Sequence, residues 1–137
     1  IIRDMMPDVQ IFARACPMFV PLVENGYFND GNPVTKLIIA EYLQELKDAG
    51  VDTLILGCTH YPLLEEVISD YMGPDVTLID SGAEAANLAS TQFNPNDGPG
   101  GTRYYVSDDP AGFDRLAGLF LQEDVETNAG LVDISRF

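Results

Sequence analysis

The sequence predicts an α/β protein in three layers, a parallel sheet with helices on both faces. Two observations carry that expectation. Apolar runs rich in β-branched residues recur at 51–56 and 76–79, and each gives way within a few residues to a helical pattern. Taken end to end, the chain alternates strand and helix, which builds parallel strands joined by helical crossovers.

The elements follow in order. Val9 to Ala15 reads as a strand leading to Cys16. Pro17 and Pro21 cannot donate to a ladder, so 16–26 is expected to be a loop or irregular segment, with Glu24 inside it. Asn32 before Pro33 marks a helix start, an N-cap followed by proline in the first turn. That helix is expected to run to about Ala49, with Ile39, Leu43 and Leu46 on one face and Gly50 as its stop. The strand over 51–56 breaks at Gly57. A helix follows from Pro62 to about Met72, with Leu63, Leu64, Val67, Ile68 and Tyr71 on its apolar face. Glu65 and Glu66 sit in its first turn, where the dipole favours them. Gly73 and Pro74 end it.

Val76 to Ile79 is the next strand. Ser81 and Glu84 have the spacing of a capping box, opening a helix to about Ser90. Residues 94–102, rich in Pro, Gly, Asn and Asp, read as a loop. Arg103 to Val106 is a strand, and Asp109-Pro110 opens a last helix with Phe113, Leu116, Ala117 and Phe120 inward. The tail, with Leu131, Val132 and Ile134, reads as an edge strand or a stub against the body.

Composition narrows the function. The 137 residues suffice for one modest core, and 46% of them are hydrophobic. Acidic residues number 22 against 7 basic ones, a net charge of −15. Such a surface repels phosphate backbones, so no direct nucleic-acid partner is expected. No apolar run nears the roughly 20 residues of a membrane span, so no membrane partner is expected either. One histidine and no Cys-x-x-Cys give no metal site. Two cysteines, Cys16 and Cys58, do not make a disulfide scaffold, and reduced thiols suit the cytoplasm. The chain opens at Ile1, inside what reads as the end of a helix, and is expected to be a piece of something longer.

The chemistry concentrates at Gly57-Cys58-Thr59-His60. A strand, a tight turn and a helix place reactive groups at the carboxyl edge of a parallel sheet. A helix N-terminus and a nearby histidine both favour a thiolate. Gly57 lets a substrate approach the backbone, and the N–H groups at the Pro62 helix start are candidate carboxylate holders. Read without these neighbours, Cys58 is a small core residue and His60 a satisfied polar group.

Leu-Gly-Cys-Thr-His-Tyr-Pro-Leu-Leu (56–64) closely resembles the second-half signature of the cofactor-independent amino-acid racemases, and of the glutamate racemases in particular. Ala-Cys-Pro-Met-Phe-Val-Pro-Leu-Val-Glu-Asn-Gly (15–26) and Leu-Ile-Asp-Ser-Gly (78–82) resemble the same family at matching relative positions. The resemblance implies part of a two-domain racemase fold. Residues 1–81 would belong to the second α/β domain, and 82–137 would return to complete the first. It implies interconversion of L- and D-glutamate without a cofactor, by two cysteines acting on opposite faces of Cα. The D-glutamate would serve peptidoglycan synthesis in a bacterial cytoplasm. The full-length protein would be a homodimer.

Residue by residue, Cys58 matches the family's second catalytic cysteine. Thr59 is similar to a residue that holds the substrate. His60 matches the histidine beside that cysteine, with a part in catalysis and in substrate binding. Glu24 is similar to the acidic residue near that histidine. The family's other cysteine stands in a Cys-Asn-Thr context that this sequence lacks. Cys16, before Pro17 and Met18, does not match it and reads as a buried structural thiol. The chain alone therefore carries half an active site and is not expected to racemise glutamate at normal rates. Three alternatives stand beside this reading: a racemase of the same superfamily acting on aspartate or a hydantoin, a non-catalytic folded fragment, and, more weakly, a thiol–disulfide enzyme.

Overall fold

The computed structural model describes residues 1–29, 31–92, 98 and 101–136. Six helices and four short strands form among them: α1 Ile2–Met5, α2 Phe19–Glu24, α3 Pro33–Asp48, β1 Thr53–Leu56, α4 Glu65–Met72, β2 Thr77–Asp80, α5 Ser81–Ser90, β3 Tyr105–Val106, α6 Pro110–Leu121 and β4 Gly130–Leu131. Single 3-10 turns add Tyr61–Leu64 and Ile134–Arg136. The α/β class read from the sequence holds, and both strand pairs are parallel. The strands form two separate sheets, β1 with β2 and β3 with β4. In the first, Thr53 faces Thr77 and Leu56 faces Asp80. Burial alternates along β1: Leu56 is buried and Leu54 half-buried, while Thr53 and Ile55 lie outward.

The core gathers Phe19, Leu22 and Val23 of α2, Ile39, Leu43 and Leu46 of α3, Leu56 of β1, and Leu64, Val67, Ile68 and Met72 around α4. The three α3 positions are those picked out by helical spacing. Their helix starts as its sequence dictates, with the Asn32 side chain accepting from the N–H groups of Val34 and Thr35. It stops at Gly50, in the left-handed region at φ 67°. There the Gly50 and Val51 N–H groups return to the carbonyls of Lys47 and Leu46. Thr35, fully buried, donates its hydroxyl to the Tyr27 carbonyl at 2.5 Å and ties the α2–α3 connection down.

Several local expectations are corrected. Residues 9–15 form no strand, because no neighbouring strand bonds to them. Arg14 holds the segment instead, with its guanidinium 3.4 Å from Glu45 and 5.8 Å over the Tyr42 ring. The expected irregular stretch over 16–26 contains α2. Pro21 is tolerated there because it lies in the first turn, where its missing N–H needs no intrahelical partner. The helix expected from Pro62 begins as the 3-10 turn Tyr61–Leu64 before becoming α4. The cap of α5 is Asp80, one residue earlier than the capping-box reading, and it accepts from the Gly82 N–H at 2.7 Å. Only Tyr105 and Val106 of the 103–106 run are paired, with Gly130 and Leu131 as the expected edge strand. The loop expected over 94–102 falls mostly outside the described residues. No helix among the described residues is long and apolar enough to cross a membrane.

Phe19 is almost wholly buried and meets the rings of Tyr42 and Tyr61 edge-on, at 5.5 and 5.2 Å. Phe19→Ala is therefore expected to lower unfolding free energy by about 3–5 kcal/mol. Asn32→Ala, which removes only a cap, should lower it by about 1 kcal/mol. Urea titration of the two variants checks the order.

Candidate active site

The site is built where β1 ends. Leu56 is buried, Leu64 is buried, and the span they bracket carries Gly57, Cys58, Thr59 and His60 on a turn closed by the Tyr61 N–H to the Cys58 carbonyl. Its two ends are thus fixed by apolar burial while its middle faces outward. Glu24 reaches the same place from the last residue of α2. That helix ends in a paired turn: the Gly26 N–H returns to the Val23 carbonyl and the Tyr27 N–H to that of Leu22, with Gly26 at φ 78°.

The sequence-predicted residues come together. His60 Nε2 lies 3.1 Å from Glu24 Oε1, and His60 Nδ1 lies 3.9 Å from Cys58 Sγ and 3.4 Å from Thr59 Oγ1. The carboxylate can only accept, so Nε2 carries the proton it shares with Glu24. In the neutral ring that leaves Nδ1 as an acceptor turned toward the thiol. The side chains of His60 and Glu24 are 21% and 39% exposed, enough for water to screen their attraction. The pair orients the ring more than it stabilises the fold. Cys58 itself is partly exposed.

Beside the turn opens a cleft of about 840 Å³. Thr59, Leu63, Glu65, Asp80, Ser81 and Phe120 are among its lining residues. Its acidic wall suits an ammonium group. The Ser81 hydroxyl returns to the Leu56 carbonyl at 3.5 Å, linking the ends of the two paired strands. A Cβ added at Gly57 would meet nothing within 4 Å, and the backbone there is not left-handed, so protein packing does not demand glycine. The N–H groups of the 3-10 turn are not all free for a carboxylate, as the sequence reading had them: those of Tyr61 and Leu63 are bonded to the carbonyls of Cys58 and His60. Among the described residues no group of three or more His, Cys, Asp or Glu could hold a metal ion.

Sequence reasoning missed two neighbours. The Phe120 ring meets the His60 ring edge-on at 5.0 Å, and Arg115 Nη1 donates to the Glu24 carbonyl at 3.3 Å. Both lie on α6. The inward periodicity of that helix was visible, but no local signal says that it lands on a residue sixty positions earlier.

Cys16 is buried, as a structural thiol should be. Burial pushes its thiol up, and the nearby Arg14 charge only partly opposes this. Burial likewise raises Tyr61, whose hydroxyl donates to the Cys16 carbonyl at 3.3 Å. A thiol held up in the folded state keeps its proton after the unfolded chain has lost it. The unfolded state then binds fewer protons, and stability falls as pH rises through the ordinary thiol range. Two outcomes follow: alkaline loss of stability that is reduced in Cys16→Ala, and native-state alkylation by iodoacetamide at least about tenfold faster at Cys58 than at Cys16. Melting curves against pH and peptide mass mapping measure them.

Comparison with known proteins identifies the family. Residues 8–89 match the family model described as Asp/Glu/Hydantoin racemase. A glutamate racemase of Geobacter metallireducens is 44% identical over 126 residues, spanning 88% of this chain and 46% of that one. The crystal structure of a glutamate racemase from Francisella tularensis in complex with D-glutamate superposes with a TM-score of 0.76 at 27% identity. It covers 99% of this chain and 52% of that one. The glutamate racemase of Thermus thermophilus in complex with β-chloro-D-alanine gives a TM-score of 0.69 at 39% identity, over 91% and 48% of the two chains. The chain spans about half the length of the relatives it matches, and with residues 8–89, more than half of it, matching the family model, it belongs to the Asp/Glu/Hydantoin racemase family.

Proposed function

We propose that this chain carries one of the two acid–base halves of a glutamate racemase. The observation that supports it most is the Cys58–His60–Glu24 relay, standing beside an open cleft in a chain whose relatives are named glutamate racemases. On this reading Cys58 passes its proton to His60 Nδ1, and Glu24 offsets the positive charge that forms on the ring. The thiolate then takes the proton from Cα of one glutamate enantiomer, while a second thiol on the opposite face delivers one to the carbanion. Each thiol is base in one direction and acid in the other. Thr59, which lines the cleft, and His60 beside it hold the substrate. Cys16 is too enclosed to be the second thiol, which lies in the part of the protein that this chain does not span.

The division into a catalytic domain, 1–81, and a returning segment, 82–137, belongs to the same reading. It is supported by the two separate sheets, one in each part, and by α5, exposed along its whole length. The full-length enzyme would be a cytoplasmic homodimer supplying D-glutamate for the bacterial cell wall.

Incubation of the full-length protein in deuterium oxide with glutamate, aspartate and a hydantoin separates the members of the family. Exchange at Cα of glutamate is expected, and exchange confined to one of the other two substrates would overturn the choice. Cys58→Ser should cut turnover by about 10²–10⁴-fold, in the range of a lost acid–base group, and Glu24→Gln by less. Circular dichroism of the glutamate solution follows both. Gly57→Ala should stay within about 0.5 kcal/mol of the parent in stability while raising KM. The 137-residue chain alone should turn over far more slowly than the full-length enzyme in the same assay.

A further inference from the structure

We propose that Phe120 is a positioning residue for the His60 ring, and that α6 is the element that sets the aim of the Cys58–His60 pair. For its kinetic test the proposal rests on the racemase reading. Its spectroscopic test needs only the geometry.

The ring of His60 has contacts at both nitrogens, with Glu24 on Nε2 and with Cys58 and Thr59 on Nδ1. With the sulfur at 3.9 Å and the Glu24 side chain 39% exposed, these contacts leave the ring a roll about its Cβ–Cγ bond. Such a roll swings the Nδ1 lone pair, which lies in the ring plane, away from Sγ. The Phe120 ring, at 5.0 Å and inclined by 86°, is the third contact that resists the roll. Edge-to-face pairs favour that arrangement because the positive rim of one ring meets the negative face of the other. Phe120 is itself seated, half-buried against the core.

The same helix grips the other end of the relay. Arg115, five residues earlier, donates to the backbone carbonyl of Glu24. One element from the returning segment therefore touches both the residue that orients His60 and the ring itself. A displacement of α6 moves the two together.

The His60 ring nitrogens, assigned by their loss in His60→Gln, report the aim of Nδ1 in 15N NMR spectra of the intact protein, because a changed hydrogen bond moves them far more than the lost ring current of a phenyl group does. Phe120→Ala and Phe120→Leu should each shift them more than Phe113→Leu does, a control on the same helix, and Phe120→Tyr should restore the parent position. Phe120→Leu keeps apolar volume at the site, so the test stands even where the alanine variant fails to fold. In the full-length enzyme, Phe120→Leu should lower kcat about tenfold, as a misaimed group does. It should also raise the Cα deuterium isotope effect for the enantiomer whose proton goes to Cys58, and not for the other. A mere loss of folded enzyme would leave both isotope effects unchanged. His60 shifts no larger than in the Phe113→Leu control, or isotope effects unmoved in both directions, overturn the proposal. Moved shifts in a protein without glutamate exchange would sink the racemase reading and leave the positioning role standing.

Discussion

An imidazole can face a thiol and a carboxylate at once only if the chain delivers the three groups to within a few ångströms of one another. The His60 ring imposes that constraint here. Cys58 and His60 come from the turn after β1, Glu24 from the end of α2 thirty-six residues earlier, and the Phe120 contact from α6. Each stretch is held by something other than the site. Val23, next to Glu24, is buried in the core, and Leu56 and Leu64 anchor the turn on either side. The polar groups can then remain half-exposed and reactive while their backbones stay fixed, the arrangement a functional site needs.

The parallel pairing of β1 with β2 adds a second layer to the same logic. Leu56 stands opposite Asp80, so the carboxyl ends of both strands deliver their turns to one edge. One turn carries the thiol. The other begins α5, its cap formed by Asp80 and its Ser81 hydroxyl returned to the Leu56 carbonyl. The cleft lies between these turns because parallel strands present all their carboxyl ends on one side.

Much of this was legible in the sequence, for physical reasons that can be named. The α3 helix could be read from cap to stop because Asn32-Pro33 and Gly50 act locally and Ile39, Leu43 and Leu46 share one face. Glu24 is legible through motif resemblance and Cys58 and His60 through strand–turn chemistry, and the structure brings the three side chains together. What was not legible depended on partners far along the chain. Val9–Ala15 has strand-forming residues but no strand beside it. The Pro17 and Pro21 pair argued against a helix, yet the first turn of α2 accommodates Pro21 and leaves Phe19, Leu22 and Val23 on its inner face. Asp80 took the cap from Ser81 because it sits at the last paired position of β2. The Phe120 and Arg115 contacts needed the tertiary structure.

Burial is distributed unevenly, and this matters for the site. Every buried hydrophobic residue among those described lies between Cys16 and Met72. The apolar side chains of α6 are at most half-buried, and Leu88 of α5 and Leu131 of β4 are mostly exposed. Since stability follows apolar area removed from water, the fold rests on residues 16–72, and the segment after them is attached through fewer such contacts. Elements with few buried contacts open locally at lower free energy than the core. The contact that limits the roll of His60 thus comes from a less firmly anchored part of the chain. The relay can lose its aim while Phe19, Val23, Leu56 and Leu64 stay packed, so the accuracy of the site and the stability of the core are set by different residues.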